Sequence, residues 1–325
     1  MFTIARGFTG HDLSCWDVSS VAQHDYFSEN WGAGNTEPNW DGTPCAALRD
    51  IDLSTSFQIV VTGTSFGFLN DDRVGDLTYN YTVDCDSDGI PEEAFQTKGT
   101  TCTYSTNGPH TISIAGDLPY FRIDADSKDN ITLIKNWGNI QWRSFYTSFS
   151  SAPNLTGIDE NAGTPDLSRV TDMHSTFSSA TSFNADLSDW NVSTVQSMRS
   201  LFSGTKAFQG DISTWDTSSV TRMDSMFINS LFDGNISAWD VSKIESMSWM
   251  FYNATVFNSD ISDWNTSSVI TMNSMFTIAR GFTGHDLSCW DVSSVAQHDY
   301  FSENWGAGNT EPNWDGTPCA ALRDM

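Results

Sequence analysis

Apolar residues recur through the second half of the chain with a period of about 25 positions. Each period carries a phenylalanine, an isoleucine or leucine, a tryptophan, a valine or isoleucine, a methionine and a second phenylalanine at nearly constant spacing. Complete periods begin at Phe183, Phe208, Phe232 and Phe257, with degenerate copies before them and a slipped copy after them. A repeat of this length predicts stacked units, because one unit alone cannot bury its apolar side.

Each period divides into two halves with different predicted structures. Val195, Met198 and Phe202 stand at i, i+3 and i+7, which predicts a short helix, and the Asn-x-Ser-Thr stretch before them supplies cap residues for its first amides. The Phe-x-x-x-Ile-Ser-x-Trp half is short and bounded by turn formers, which predicts a strand. A strand and a short helix per coil predict a leucine-rich-repeat-like solenoid that rises about 4.8 Å per coil.

The aromatic columns of this repeat predict a buried structural ladder. Exposed tryptophan rings could instead stack on sugars, but recurrence at the coil period is explained by a ladder without any ligand. A parallel column of acidic residues, Asp186, Asp211, Asp260 and Asp286 with Asn235 interrupting it, indicates turn and capping chemistry more than a metal ladder. The predicted ladder consists of Trp190, Trp215, Trp239, Trp264, Trp290, Phe202, Phe227, Phe251 and Phe276.

Residues 51–140 have a different pattern, with short β-rich runs separated by Gly, Asn, Asp and Pro. Six such runs within about 90 residues predict an antiparallel β-sandwich. With the repeat region, the predicted fold class is α+β: a solenoid with a strand and a short helix per coil, joined to an antiparallel sandwich. The runs cover residues 57–62, 77–83, 101–105, 110–115, 120–123 and 131–134.

A second, longer repeat frames the short one. Residues 1–50 recur without change as residues 275–324, so the chain is one unit of 274 residues plus an overlap, and Met1 is expected to be a cut point inside an array. The predicted domains are the end of a preceding solenoid (1–50), a PKD- or immunoglobulin-like β-sandwich (51–140), the 25-residue-repeat solenoid (141–301) and a disulfide-closed cap that leads to the next unit (302–325).

Charge and hydropathy exclude two classes of partner. The net charge is −26, from 15 Lys and Arg against 41 Asp and Glu, which repels nucleic acid and anionic membranes. No apolar run approaches the 18 or so residues of a membrane helix, so we expect no membrane insertion.

The cysteines indicate an oxidising compartment. They are Cys15, Cys45, Cys85, Cys102, Cys289 and Cys319, four per 274-residue unit, and none stands in a C-x-x-C pair. An even number in a Ser-, Thr- and Asn-rich chain is typical of disulfides in extracellular proteins. The expected pairs are Cys85–Cys102 and Cys289–Cys319, with Cys15–Cys45 as the copy of the latter; the sequence alone does not fix this connectivity.

One segment carries alternating carboxylates. Asp84, Asp86 and Asp88 precede Gly89, as in the opening of a calcium loop where oxygen ligands surround the ion and glycine permits a sharp turn. The twelfth position is Phe95 instead of the glutamate of an EF-hand, although Glu92 or Glu93 could supply that oxygen. The segment therefore predicts either a Ca²⁺ site, the sole candidate cofactor, or a solvated Asp/Gly turn.

Signals of catalysis are poor. The six histidines are scattered, and the sequence contains no G-x-S-x-G, H-E-x-x-H or phosphate-loop motif. We therefore expect no enzyme.

The short repeat resembles a known family. The Phe-Asn-x-Asp-Ile-Ser-x-Trp-Asp-Val-Ser-Ser-Val pattern of residues 183–202, 257–276 and 290–295 is similar to the 25-residue BspA-type bacterial surface-protein repeat, a relative of leucine-rich repeats. Residues 80–84, 110–113 and 136–142 resemble the PKD-like β-sandwich that often precedes it. The resemblance implies a secreted or surface-anchored bacterial protein associated with adhesion, which is an argument from analogy.

These observations predict a structural and adhesive unit of a very long bacterial surface fibre, located outside the cell and used for attachment to other cells or surfaces. Its expected partners are identical tandem units of the same chain and a lateral homo-oligomer. The alternative is a multivalent glycan-binding module, whose contacts would be the tryptophans outside the ladder: Trp31, Trp40, Trp305 and Trp314.

Overall fold

The computed structural model describes residues 51–69, 77–96 and 99–315. Within these ranges the chain forms nine β-strands and one 3₁₀ turn, Ala125–Ser127, and it forms no α-helix. The fold-class prediction of an α+β protein is therefore wrong, because the structure is built from sheets and turn-rich coils. The predicted domain 1–50 and the last ten residues of the predicted cap lie outside the described residues.

The nine strands form two sheets. A six-stranded sheet has the order β4-β3-β6-β1-β8-β9, and a three-stranded antiparallel sheet has the order β5-β2-β7. Strands β2, β4 and β9 lie outside the runs that the hydrophobic pattern marks. The strands are β1 (Phe57–Val61), β2 (Ser65–Leu69), β3 (Asn80–Asp84), β4 (Glu93–Gln96), β5 (Thr100–Thr103), β6 (His110–Asp117), β7 (Arg122–Ile123), β8 (Ile131–Asn136) and β9 (Gly157–Ile158).

The two sheets enclose an apolar core. The ring of Phe68 in β2 lies 6.0 Å from that of Tyr81 in β3 and 5.2 Å from that of Phe121. A disulfide between Cys85, which follows β3, and Cys102 in β5 joins the sheets covalently, with the two Cα atoms 5.6 Å apart. The covalent link thus lies where β3 of the large sheet leads into the loop that carries Asp84, Asp86 and Asp88, which we call the acidic loop.

The rest of the described chain is a stack of coils, which we call the coil stack (residues 143–315). Single parallel β-bridges join equivalent residues of successive coils, one coil period apart. The phenylalanine rings form a parallel column, in which neighbouring centroids are 5.4–6.0 Å apart. The longest run of bridges is Asp172, Ser197, Arg222, Ser246, Thr271 and Gln297.

The predicted helix in each coil is absent, and hydrogen bonding shows why. In residues 173–180 alternate amides bond within the turn, as Thr176 N–H does to Met173 C=O. The intervening amides bond the next coil, as those of Ser175 and Phe177 do to the carbonyls of Arg199 and Leu201. A helix would keep all these amides inside one segment and leave the next coil unbonded.

Backbone conformation confirms the correction. Two residues of each coil, four positions apart, have positive φ, for example Ser200 at 52° and Gly204 at 70°. Right-handed helices exclude such values, which belong to tight turns and favour Gly, Asn and similar residues. The i, i+3, i+7 spacing therefore marks a ladder of turns whose buried side chains happen to share helical spacing.

The large sheet runs directly into the coil stack. Strand β9 belongs to the stack and pairs with β8 in parallel, so the six-stranded sheet is mixed and the expectation of purely antiparallel pairing is wrong. At the same junction Trp137 packs between Phe57, at 5.8 Å, and Phe145, at 5.6 Å. Sheet and stack share backbone hydrogen bonds and buried rings.

Across the residues that the structure describes, no helix is long and apolar enough to cross a membrane.

Candidate functional site

The acidic loop after β3 folds around one buried carboxylate. Asp84 is fully buried, and its two oxygens accept the amides of Asp86 at 3.2 Å, Ser87 at 2.6 Å and Gly89 at 2.8 Å. Positive φ values at Ser87, 56°, and Gly89, 92°, turn these amides inward. The Asp-x-Asp-x-Asp-Gly spacing thus produces a compact turn with Asp84 at its centre.

Three of the five predicted calcium ligands converge. One carboxylate oxygen from each of Asp84, Asp86 and Asp88 lies within 4.8 Å of the others. Glu92 lies beside this group, where its Oε2 accepts the amide of Cys85 at 2.6 Å. Glu93 begins β4, and its side chain lies outside the described residues. Oxygens alone at this spacing fit a hard cation such as Ca²⁺, and other oxygens would have to complete the shell of six to eight ligands.

The loop carries concentrated negative charge. Burial raises the pKa of Asp84, against the lowering effect of its backbone hydrogen bonds. Burial also raises the pKa of Glu92, and the nearby carboxylates of Asp84 and Asp86 add to that rise. The pKa of Tyr104 is raised by burial and then by the charges of Glu92, Asp86 and Asp84, while its hydroxyl donates to the Cys85 carbonyl at 2.9 Å. A bound cation would relieve this repulsion.

The ladder residues lie inside the coil stack. Each of the five ladder tryptophans is 3–5% exposed, and the four phenylalanines are at most 1% exposed. Trp215 and Trp239 stack at 6.2 Å with planes 5° apart, and Trp264 and Trp290 stack at 6.3 Å. Each indole N–H from Trp215 onward donates to a carbonyl of the preceding coil, as Trp239 Nε1 does to Ile212 at 3.0 Å. Buried rings with satisfied N–H groups are not available to a sugar.

The column of acidic residues and asparagine serves the turns. Asp211 Oδ1 accepts the amide of Ser213 at 2.8 Å, and Asn235 Oδ1 accepts that of Ser237 at 3.0 Å. Hydrogen bonds from Ser213 hold the pKa of Asp211 below its usual value of 3.8. The interchange of Asp and Asn shows that the acceptor oxygen matters more than the charge, which is turn chemistry.

A charged cluster on the coil stack is internally paired. Asp224 Oδ2 lies 3.2 Å from Arg222 Nε and 3.4 Å from Arg199 Nε, and its Oδ1 accepts the hydroxyl of Ser246. Burial, followed by the charge of Arg199, lowers the pKa of the adjacent His174. One carboxylate thus contacts both guanidinium groups, which is a structural task.

Two exposed aromatic residues escape the sequence pattern. Trp249 is 44% exposed and Tyr300 is 70% exposed, and both occupy a positive-φ position that carries serine in four other coils of the stack. They lie two coils apart in one column, so their rings face solvent on the same side of the stack. An alignment of the coils could have identified them, because four other coils carry serine at this position. An aromatic residue there cannot belong to the buried ladder.

The remaining predicted residues fall in two groups. Cys289 is disulfide-bonded, while its expected partner Cys319 and the copies Cys15 and Cys45 lie outside the described residues. Trp305 and Trp314 are partly buried, and Trp314 stacks on His298 at 4.0 Å and donates to Glu311 at 2.9 Å. Trp31 and Trp40 lie outside the described residues.

Comparison with protein families gives one match. The family model described as Mycoplasma protein of unknown function, DUF285, matches residues 143–235 and 229–315, which together span the whole coil stack and more than half of the chain. Comparison with curated proteins and comparison with solved structures give no significant match.

Proposed function

The chain belongs to the family described as Mycoplasma protein of unknown function, DUF285, and we propose that it is a structural and adhesive repeat unit of a very long bacterial surface fibre. In this role it spans distance and attaches the cell to other cells or surfaces, and it catalyses no reaction. We also propose that the coil stack is loosely related to BspA-type surface repeats and that residues 51–140 are related to PKD-like sandwiches.

The observation that carries the proposal is the continuity of the coil stack. From residues 145–151 onward, every coil sends four amides to carbonyls of the next coil, as Met223, Ser225, Phe227 and Asn229 do. Six such steps of about 4.8 Å give a stack about 29 Å long. Because backbone hydrogen bonds and stacked rings join each coil to the next, the stack is suited to hold its two ends apart and to transmit force along its axis.

Two further observations support an extracellular position. The Cys85–Cys102 disulfide fits an oxidising compartment. The unchanged recurrence of 50 residues after 274 positions fits a tandem array of such units. Lateral contacts between arrays would then repeat at the same interval.

Immunogold electron microscopy of intact cells tests this role. Antibodies raised against the described residues should label filaments on the cell surface at a regular interval, and their Fab fragments should reduce attachment of the cells. Label confined to the interior of permeabilised cells, or attachment that Fab fragments leave unchanged, would contradict the proposal.

A second candidate function is multivalent glycan binding, and the exposed column of Trp249 and Tyr300 favours it. Aromatic rings at a fixed spacing provide stacking faces, and repetition of the unit would provide avidity. On a glycan array, binding that is lost on Trp249→Ala and Tyr300→Ala but kept on Ser200→Ala would support this candidate. An array without any binding by the unaltered chain would remove it.

A further inference from the structure

A cavity lies where the large sheet meets the first coils of the stack, and we call it the junction cavity. Its volume is about 280 Å³. The end of β6 contributes Asp117, which is followed by Leu118. The first coils contribute Arg143 and Arg169. Since ligand pockets usually measure about 300–1,000 Å³, a cavity of this size accepts a single small group.

Backbone hydrogen bonds fix the segments that carry both arginines. The amide of Arg143 donates to the carbonyl of Pro119 at 2.8 Å, which ties the start of the coil stack to the segment after β6. Gln141, which also lines the cavity, forms a parallel bridge with Asp166, three residues before Arg169. The two side chains therefore extend from backbone that the fold holds in place, which lowers the ordering cost of binding.

The charges of these two arginines are available to a ligand. Both side chains are exposed, and neither Arg143 nor Arg169 forms an ion pair with any carboxylate of the described residues. Asp166, which is close to Arg169 in sequence, accepts the amide of Ser168 at 3.0 Å. The two arginines beside Asp224, in contrast, are paired with it. In a chain of net charge −26, two unpaired arginines at one cavity indicate a ligand with negative charge.

The rest of the lining selects among anions. Guanidinium groups bind carboxylates and phosphates alike through paired N–H donors. Asp117 repels a second negative charge in the same cavity, which favours a carboxylate over a phosphate dianion. The Asp117 carboxylate and the Gln141 amide can also form hydrogen bonds with hydroxyl groups. Leu77 and Leu118 provide a small apolar surface. A monoanion with several hydroxyl groups and one apolar face, such as a uronic acid, matches these features.

We propose that the junction cavity binds an acidic sugar, whose carboxylate is held by Arg143 and Arg169 and whose hydroxyl groups contact Asp117 and Gln141. The site joins side chains from the large sheet and the coil stack, so it exists only where these two parts of the fold meet. Such binding requires neither the attachment role nor the aromatic column proposed above, and its failure would leave both of them untouched.

A titration with glucuronic acid, followed by saturation-transfer NMR, tests the need for a carboxylate. Glucose is the matched ligand, because it carries a hydroxymethyl group in place of the carboxylate. We expect glucuronate to bind the unaltered chain at neutral pH with a dissociation constant of about 1 mM, and glucose to bind at least about tenfold more weakly. Equal binding of the two sugars, or no binding of glucuronate at about ten times that constant, would overturn the proposal.

Substitution of one arginine places the site on the molecule. Arg169→Gln should weaken glucuronate binding about tenfold or more, because it removes a charged donor. The matched control is Arg280→Gln, which removes the same charge from an exposed arginine near the other end of the coil stack. It should change the affinity less than about twofold, since solvent and salt screen a charge at that distance. Equal effects of the two substitutions would contradict the assignment.

Asp117→Asn tests the choice of a carboxylate over a phosphate. Without the repulsion of Asp117, inorganic phosphate at about pH 8 should gain affinity by a larger factor than glucuronate does. Equal gains, or tighter binding of phosphate than of glucuronate by the unaltered chain, would overturn the assignment to an acidic sugar. Self-association of the unaltered chain that Arg169→Gln abolishes would overturn it as well, because an acidic side chain of a second copy would then fill the cavity.

Discussion

At the residue scale, the ladder tryptophans combine two tasks that a phenylalanine cannot combine. Each ring fills the stack, and from Trp215 onward each indole N–H satisfies a buried carbonyl of the preceding coil. The same carbonyls also accept a backbone amide, as that of Ile212 does from Trp215, so the indole N–H adds a second donor and itself gains a buried acceptor. Tryptophan therefore fixes the alignment of neighbouring coils as well as their cohesion.

Substitution of Trp239 separates the two tasks. Trp239→Phe keeps most of the buried ring but removes one of the two donors to the carbonyl of Ile212, the other being the amide of Trp215, so we expect a loss of about 0.5–1.5 kcal/mol in the free energy of unfolding. Trp239→Ala also removes the ring and should cost about 3–5 kcal/mol. Urea denaturation followed by circular dichroism measures both. The control is Tyr300→Ala, which removes a side chain that is 70% exposed and should therefore cost much less than Trp239→Ala.

The acidic loop provides the second prediction at this scale. With three convergent carboxylates, Ca²⁺ at ten to a hundred times its dissociation constant should stabilise the fold by about 1.4–2.7 kcal/mol and raise the melting temperature. Asp88→Asn should reduce this shift, whereas Asp211→Asn, in a turn of the coil stack, should preserve it. A melting temperature that neither Ca²⁺ nor a chelator alters would leave the loop as an Asp/Gly turn.

The loop also shows how far sequence reasoning reached at the site. The Asp-x-Asp-x-Asp-Gly spacing predicted three side chains that the structure brings together, since the distance between them is set by local turns. The spacing did not predict the contact of Glu92, whose Oε2 accepts the amide of Cys85, and its role as a calcium ligand stays a prediction. Trp249 was missed because its exposure is apparent only once the column of serines is aligned.

At the scale of elements, the coil resolves a conflict between apolar spacing and backbone chemistry. Val195, Met198 and Phe202 are buried as the pattern predicts. Yet the second residue after each ladder phenylalanine adopts positive φ, as does the second residue after the methionine four positions before it, and Ser, Asn and Gly tolerate such values best. The apolar spacing correctly predicted which residues are buried. The polar residues between them indicate that the segment turns, and the prediction of a helix did not take them into account. Strands β2 and β4 were missed for a related reason, since Gly67 and Glu93 interrupt their apolar character.

A substitution at Gly204 distinguishes the turn ladder from a helix by sign. In a helix Gly204→Ala would stabilise by about 0.5–1 kcal/mol. At the observed φ of 70°, and with Ser179 Oγ only 3.3 Å from the added Cβ, it should instead destabilise by about 1–2 kcal/mol. Gly204→Asn should cost less, because Asn229, Asn253 and Asn304 hold the same position in other coils. Thermal unfolding of the unaltered chain, Gly204→Ala and Gly204→Asn decides between a ladder of turns and a helix.

At the scale of the whole molecule, the net charge destabilises the fold. The negative charges that give a net charge of −26 at neutral pH repel one another, and acidification toward the isoelectric point near 4.2 weakens that repulsion. The acidic loop adds to the effect, since the raised pKa values of Asp84 and Glu92 mean that their ionisation opposes folding. The coil stack behaves in the opposite way, because its turns accept hydrogen bonds with ionised aspartates.

Stability should therefore pass through a maximum on the acidic side of neutrality. Asp211 and Asp216 have pKa values lowered by hydrogen bonds from Ser213 and Ser218, so their contribution is complete above the usual 3.8 and is lost as the pH falls through their folded values. Urea titrations between pH 3 and pH 8 measure this profile. With Asp211→Asn and Asp216→Asn, which keep the acceptor oxygen, the loss below pH 4 should be shallower; an identical slope would contradict this assignment.

The column that holds Ser200, Trp249 and Tyr300 shows that one backbone geometry, with φ between 52° and 58°, carries a serine in one coil and a large aromatic side chain in others. The columns of buried side chains and the hydrogen bonds between coils determine the architecture, while this outward column contributes little to it. Variation at these outward positions can therefore change the exterior of the stack from coil to coil on an unchanged scaffold.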